Sequence, residues 1–183
     1  MKKAIFFDRD GVVNIDRDYV YKIEDFEYEE GFLDLFSFCK LRDYFLFVVT
    51  NQSGISRGYY TEDNFLALSN FMQDDLLSRF GFNFHKIYHC PHLPSHNCKC
   101  RKPKSGMIEE AILDFNINRE KSYIIGDRES DIEAGLNASL GTTILYSKTC
   151  FLDSTHMLNT DSNKDSNASF IVNSLHEIKN LII

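Results

Sequence analysis

Two carboxylates near the start of the chain stand two positions apart, directly after an apolar run. Asp8 and Asp10 follow the segment 4–7, which reads Ala-Ile-Phe-Phe. If strand geometry continues to Asp10, side chains two positions apart share a face, and both carboxylates point into one cavity. Like charges this close repel each other unless a cation lies beside them. The pattern favours a divalent metal site, and an acidic turn in water is its alternative.

Further polar side chains follow other apolar runs. The segment 50–54, Thr-Asn-Gln-Ser-Gly, is either a tight loop of donors that suits an anion or a simple polar turn. Asp127 and Asp131 lie one helical turn apart after a later run, where each can ligate a metal or cap a helix. Arg101 and Lys102 add two positive charges. Converging cations of this kind allow an acidic protein to bind a phosphorylated small molecule.

Three cysteines and one histidine form a second candidate metal site. They supply three thiolates and one imidazole, a complete tetrahedral set for zinc, and such a closed site is structural rather than catalytic. His89 and His96 are alternatives to His92, which the short spacing from Cys90 favours. A chance group of reduced thiols, or a disulfide, is the other interpretation. The four predicted ligands are Cys90, His92, Cys98 and Cys100.

Apolar runs that suit buried parallel strands alternate with segments of helical periodicity. The predicted strands are 3–8, 45–50, 86–89, 122–126, 142–146 and 169–172. The predicted helices are 32–41, 61–80, 106–115, 132–137 and 175–182. The alternation indicates an open α/β sheet, in which ligands bind beyond the carboxyl ends of the strands. The polar segment 147–167 is expected to be a surface excursion, or a low-complexity linker in part.

Length and composition restrict the class of protein. The 183 residues suit one domain, and the net charge of −7 argues against nucleic acid as a general partner. No apolar stretch reaches the roughly 18 residues of a membrane span. The first residues lack the pattern of a secretory signal, so we expect a cytoplasmic protein with five reduced cysteines. We expect the ligand to be a small molecule. A monomer is sufficient for chemistry on such a ligand.

The ordered motifs resemble those of the haloacid dehalogenase-like phosphatases. The matching residues are the segment 8–11 (Asp-Arg-Asp-Gly), Thr50, Lys102 and the pair 126–127 (Gly-Asp). The resemblance implies a three-layer, Rossmann-like parallel sheet. It also implies that one domain spans residues 1–183, with no large cap domain and a small zinc-binding loop at 90–100.

Within that superfamily, the segments 16–28 and 50–62 are similar to phosphatases of heptose bisphosphates. The zinc loop is also similar to that of histidinol-phosphate phosphatases, which are therefore the alternative. The first resemblance implies a sugar-phosphate substrate and a role in forming nucleotide-activated heptose. Two alternatives of other classes are a phosphoryl-aspartate switch without turnover and a binding module for a protein partner. The second acid, Asp10, favours an enzyme.

The resemblance also implies a mechanism through an aspartyl phosphate. Asp8 would be the nucleophile, and Asp10 would protonate the departing sugar oxygen and then deprotonate water. For this role, Asp10 must hold a proton near neutral pH. Asp8, the backbone carbonyl of Asp10 and Asp127 would bind Mg²⁺. Thr50 and Lys102 would stabilise the phosphoryl oxygens.

Substrate contacts are implied in the same way. They comprise a flap over the sugar, polar side chains beside it, a cation toward the distal phosphate and one further position. The flap residues are Asp16, Arg17, Asp18 and Tyr19, of which Arg17 and Asp18 depart from the family's pattern. The remaining contacts are Asn51, Gln52, Ser53, Arg101 and Arg128.

Overall fold

A computed structural model describes residues 1–148 and 166–183 of the chain. Its strands are β1 (Ala4–Phe7), β2 (Phe45–Asn51), β3 (Lys86–Cys90), β4 (Tyr123–Gly126), β5 (Thr142–Tyr146) and β6 (Phe170–Val172). Its α-helices are α1 (Phe32–Leu41), α2 (Glu62–Phe80), α3 (Gly106–Phe115), α4 (Glu129–Asn137) and α5 (Leu175–Ile178). All six predicted strands are confirmed within one residue at either end. Most of the predicted excursion, residues 149–165, lies outside the described residues.

The strands form one parallel sheet in the order β3-β2-β1-β4-β5-β6. Helices cover both faces of the sheet. Successive side chains of a strand point to opposite faces, so each strand contributes apolar side chains to a core on either side. Ile5 and Phe7 pack into a core with residues of α1, α2 and α5. Ala4 and Phe6 pack into a second core with residues of α3 and α4. The predicted three-layer architecture is therefore confirmed. Within the described ranges, no helix is both long enough and apolar enough to cross a bilayer.

The strand order brings three strand ends together. β2 lies on one side of β1 and β4 on the other, so the chain reverses its direction of winding beside β1. The Asp8 N–H continues the ladder by donating to the Ile125 carbonyl at 2.9 Å. Thr50 lies within β2, and Asp127 directly follows β4. The carboxyl ends of these neighbouring strands thus carry the polar motifs to one edge of the sheet.

Two helix boundaries differ from those predicted. α4 begins at Glu129 rather than at 132, because Asp131 accepts the Arg128 N–H at 3.1 Å and caps a polar first turn that the apolar periodicity does not mark. α5 ends at Ile178 rather than at 182. The predicted start of α2 is confirmed, because Thr61 forms a capping box there.

Candidate active site

A buried lysine joins two carboxylates at the centre of the strand ends. Lys102 Nζ lies 2.9 Å from Asp8 Oδ1 and 2.6 Å from Asp131 Oδ1, and it donates to the Val49 carbonyl at 2.7 Å. Only 4 % of Lys102 is exposed, and both carboxylates are buried. Buried charges are tolerated when they are paired and hydrogen-bonded in this way. The lysine therefore presents a fixed positive charge beside Asp8.

A third carboxylate makes this cluster fit a divalent cation. Asp8, Asp127 and Asp131 offer carboxylate oxygens that lie within 4.8 Å of one another. Burial raises the pKa of Asp8 to about 8 against the opposing effect of Lys102, and burial raises the pKa of Asp127 to about 6. Asp127 Oδ1 is buried with no hydrogen-bond partner among the described residues. An excess of buried carboxylate oxygens with one left unpaired suits Mg²⁺, which prefers oxygen ligands.

Gly11 leaves the space that the Asp127 carboxylate occupies. Its φ is +92°, and a Cβ at this position would lie 2.4 Å from Asp127 Oδ2. We expect Gly11→Ala to displace that carboxylate and to weaken the apparent Mg²⁺ affinity at least about 10-fold, as loss of ligand orientation does in other metal sites. A Mg²⁺ titration of phosphatase activity measures this change.

Gly58 provides the matched control for that substitution. It also has a positive φ, +73°, but a Cβ there would meet no atom within 4 Å. Gly58→Ala should therefore strain the backbone without changing the Mg²⁺ response. An unchanged Mg²⁺ response in Gly11→Ala would contradict the placement of the metal beside Asp127.

Asp10 lines the same cavity as Asp8. It does so although strand geometry does not continue to it, contrary to the prediction from the sequence. β1 ends at Phe7 and Asp10 forms a bridge with Asn14, so the strand does not continue to Asp10. A turn in which the Asn14 N–H and neighbouring amides donate to the Arg9 carbonyl carries Asp10 instead. The expectation of a shared strand face is therefore wrong, although both carboxylates line one cavity.

That cavity has a volume of about 260 Å³. It is lined by the predicted residues Asp8, Asp10, Asp16, Asp18, Tyr19, Thr50, Asn51, Gln52, Ser53, Arg101, Lys102 and Arg128, together with Tyr60, Ser130 and Asp131. Arg17 is the one predicted substrate contact outside the lining. It is 48 % exposed, forms an ion pair with Glu27 and donates to the Asp25 carbonyl. Tyr60 was missed, although it lies inside the segment 50–62 that carries the resemblance.

Asn51 and Arg101 are predicted substrate contacts. Both form hydrogen bonds with the loop that contains Lys102 and the predicted zinc ligands. The Asn51 side chain accepts the Lys102 N–H at 3.1 Å and donates to the Lys102 carbonyl at 3.2 Å. The Arg101 guanidinium donates to the His92 carbonyl at 3.1 Å. Asn51 therefore fixes the backbone that delivers Lys102, and Arg101 is tied to the cysteine-rich loop.

The flap is held from two sides over the cavity. Arg128 donates to Asp16 Oδ2 at 2.8 Å, which links the flap to the start of α4. The Asp18 N–H donates to Asp16 Oδ1 at 3.0 Å, and both Asp18 and Tyr19 have left-handed φ values. On the other side, the rings of Tyr19 and Tyr59 meet edge to face with centroids 4.8 Å apart. These contacts hold the polar side chains of Asp16, Asp18 and Tyr19 at the cavity wall.

The four predicted zinc ligands come together at the end of β3, where Cys90 is the last residue of the strand. Cys100 Sγ lies 3.1 Å from Cys90 Sγ and 3.4 Å from Cys98 Sγ, and His92 Nδ1 lies 3.4 Å from Cys100 Sγ. His89, one of the alternative ligands, instead pairs with Glu62. The described cysteines form no disulfide. The arrangement could hold one tetrahedral zinc ion.

The chain also matches known proteins in sequence. Residues 99–178 match a family model described as HAD-hydrolase-like. The chain is 50 % identical over 146 residues to D-glycero-alpha-D-manno-heptose-1,7-bisphosphate 7-phosphatase of Campylobacter jejuni, covering 80 % of this chain and 83 % of the relative. It is 48 % identical over 146 residues to D-glycero-beta-D-manno-heptose-1,7-bisphosphate 7-phosphatase of Helicobacter pylori strain J99, covering 80 % and 84 %.

A solved structure shares the fold. The D,D-heptose 1,7-bisphosphate phosphatase of B. bronchiseptica, complexed with magnesium and phosphate, has a TM-score of 0.79 and 23 % identity. The match covers 98 % of this chain and 97 % of that one.

Proposed function

This chain belongs to the D-glycero-D-manno-heptose-1,7-bisphosphate 7-phosphatases of the haloacid dehalogenase-like hydrolases, and we propose that it removes the 7-phosphate of this sugar bisphosphate. The observation that carries the proposal is the buried group of Asp8, Lys102, Asp127 and Asp131 at the strand ends. It combines a nucleophile, a fixed cation and an unpaired carboxylate oxygen. The two substrate-facing segments favour a heptose bisphosphate over histidinol phosphate.

Asp8 acts as the nucleophile in the proposed mechanism. Its carboxylate attacks phosphorus, and the bond to the sugar oxygen breaks, which divides one difficult displacement into two easier ones. Lys102 and Thr50 face the transferred group from the cavity wall and stabilise its oxygens. Asp8, Asp127 and the backbone carbonyl of Asp10 would hold Mg²⁺, which would offset the negative charges of the nucleophile and the phosphate.

Asp10 moves the protons of both steps. It delivers a proton to the departing sugar oxygen, and it later takes one from the water that hydrolyses the aspartyl phosphate. Its position on the cavity wall with Asp8 supports both roles. The flap residues Asp16, Asp18 and Tyr19, with Ser53 beside them, contact the sugar in this proposal.

Zinc is proposed as a structural ion in the cluster of Cys90, His92, Cys98 and Cys100. The last ligand lies two positions before Lys102, so the ion fixes the loop that delivers this lysine. Arg101, tied to the same loop, faces the cavity and is proposed to bind the distal phosphate. Arg128 is a further proposed substrate contact.

The substrate that this chain prefers will identify the heptose anomer it acts on and the pathway it serves. The relatives named above carry names for opposite anomers, alpha in Campylobacter jejuni and beta in Helicobacter pylori. For this chain, we propose a place in the formation of ADP- or GDP-heptose precursors, as in lipopolysaccharide biosynthesis. We propose that the ligand is a sugar phosphate. We also propose that the protein is a monomer and is located in the cytoplasm.

Phosphate release from both anomers of heptose 1,7-bisphosphate and from histidinol phosphate tests the function. We expect kcat/KM for one heptose anomer to exceed that for histidinol phosphate by at least about 100-fold, because a site that pairs polar groups of one substrate rejects a ligand that leaves them unpaired. Activity should vanish when Mg²⁺ is chelated and return when Mg²⁺ is added. Preference for histidinol phosphate would overturn the substrate but not the mechanism.

A further inference from the structure

We propose that Arg9 is a positioning residue that holds the Asp10 carboxylate in place for water activation. The inference rests on the proposed phosphatase chemistry and adds a residue to it. Arg9 stands between the two catalytic aspartates in sequence, and its side chain is one of the largest fully buried ones, with 1 % exposed. Nothing in the motif pattern assigns it a role.

The Arg9 guanidinium forms an ion pair with the Asp10 carboxylate. Its Nε and Nη2 atoms lie 2.9–3.2 Å from the two carboxylate oxygens of Asp10. Asn14 Nδ2 donates to Oδ1 of the same carboxylate at 3.1 Å, and Gln52 Nε2 donates to Oδ2 at 2.9 Å. Charge-assisted bonds of this kind fix both the position and the plane of a carboxylate. Both Asp10 oxygens, either of which can take a proton from water in the proposed mechanism, are thereby fixed in place.

The Gln52 side chain also holds the Asp10 carboxylate and connects it to the cavity wall. Its Nε2 donates to Thr50 Oγ1 at 2.8 Å as well as to Asp10. Its Oε1 accepts from Tyr60 at 2.5 Å and from Arg9 Nη2 at 3.3 Å. The amide is thus fully engaged with protein groups, since a Gln side chain has two donor hydrogens and one carbonyl with two lone pairs. Gln52 supports Asp10 through these bonds, although it was predicted to contact substrate.

Arg9 also links Asp10 to the segment that follows the flap. Its Nη2 donates to the Val20 carbonyl at 2.7 Å, one residue beyond Tyr19. Since the flap covers the sugar in the proposed complex, a single guanidinium connects the acid/base to the substrate cover. The placement of Asp10 therefore depends on the flap as well as on the turn that carries it.

The burial of Arg9 is not explained by stability. Its Nη1 is buried without a hydrogen-bond partner among the described residues, which costs free energy. A buried ion pair contributes little compared with apolar side chains of similar volume. Stability alone therefore does not require an ion pair at this place, although removing Arg9 by itself leaves the Asp10 carboxylate without its counter-charge. The guanidinium is explained by what it does to Asp10.

The step that depends on this arrangement is the hydrolysis of the aspartyl phosphate. The oxygen of water forms a bond to phosphorus while its proton moves to an Asp10 oxygen. The bond between phosphorus and the Asp8 oxygen breaks, and its electron pair returns to the Asp8 carboxylate. If Arg9 no longer orients Asp10, this second step slows and the phosphorylated enzyme accumulates.

Arg9→Met tests the proposal with p-nitrophenyl phosphate and Mg²⁺. The leaving group of this ester needs no proton, so only the second step requires Asp10. We expect kcat to fall roughly 100-fold, at the low end of what a general base contributes, with KM no higher than in the wild type. A mass increase of one phosphoryl group should appear in acid-quenched variant but not in wild type. Arg9→Lys should restore part of kcat because it keeps the charge.

Arg119→Met is the matched control. Arg119 also pairs with both oxygens of one carboxylate, Glu109, and donates to a backbone carbonyl, that of Ala138. It does not line the cavity. Its loss should lower the melting temperature while kcat stays unchanged and no phosphorylated enzyme accumulates.

A fall in kcat without accumulation of phosphorylated enzyme would overturn the role of Arg9, as would a kcat equal to that of the wild type. If Arg9→Met does not fold, Arg9→Lys carries the test, because it keeps the charge but cannot contact both Asp10 oxygens as the guanidinium does. Its kcat should then fall by less than about 100-fold, and its phosphorylated form should still accumulate. The probe contains no sugar, so failure of heptose bisphosphate as a substrate would refute the proposed function and leave this test intact.

Discussion

Asp8→Asn is expected to abolish phosphate release, with kcat at least about 10⁴-fold lower, since an amide cannot form the aspartyl phosphate. No phosphorylated enzyme should form, whichever phosphate ester is supplied. Phosphate release and the intact mass of acid-quenched protein measure the two effects. Asp10→Asn is the informative comparison, because it should slow hydrolysis while leaving the Asp8 nucleophile and phosphate binding in place. Residual phosphorylation of Asp8→Asn would show that another residue is the nucleophile.

The same substitution has an expected signature in stability. Burial raises the pKa of Asp8 from 3.8 to about 8 when no metal is bound. Between these values the folded protein keeps a proton that the unfolded chain has lost, so this carboxyl lowers stability progressively as pH rises from about 4 to about 8. The amide introduced by Asp8→Asn does not titrate, so this contribution is absent from the variant.

We therefore expect the melting temperature of metal-free wild type to fall more steeply over that range than that of Asp8→Asn. Asp127 contributes in the same direction in both proteins, because burial raises its pKa to about 6. Mg²⁺ should raise the melting temperature of the wild type more than that of the variant. Equal pH slopes in the two proteins would contradict the idea that Asp8 is a costly buried carboxyl.

Cys100→Ser is expected to cause the largest combined loss of stability and activity. It removes one of four proposed zinc ligands, and it lies two positions before Lys102. Structural zinc contributes folding free energy directly. We expect loss of the ion and a melting temperature lower by roughly 10 °C or more. We also expect kcat to fall roughly 10- to 100-fold as Lys102 loses its fixed position. Zinc content, melting temperature and kcat measure the three effects.

Cys39→Ala controls for the loss of a cysteine. Cys39 is buried in α1 and lies outside the metal cluster. Its replacement should lower the melting temperature but retain zinc and kcat, because the cavity it leaves lies in the core under α1. If Cys100→Ser lost its zinc but kept the kcat of the wild type, the ion would not position Lys102.

The pattern of apolar runs determined the strands, because six short apolar segments between helical stretches admit few arrangements other than a parallel sheet. The same reasoning located the site, since polar motifs after parallel strands must meet at one edge. Asp8, Asp127 and the cysteine-rich loop were therefore predictable from residue type and spacing. The start of α4 was predicted too late, because Asp131 caps a turn that has no apolar periodicity.

Only the tertiary structure decided which polar groups meet. The turn after β1, rather than a continued strand, aims Asp10 at the cavity, and it buries Arg9 against Asp10 and Gln52. Asn51 contacts the backbone of Lys102, 51 positions away in sequence. Such pairings depend on the three-dimensional course of turns and loops, which local periodicity does not encode. Residue types and order thus determined the chemistry available to this protein, and the packing of the loops decided which side chains hold the proposed catalytic groups.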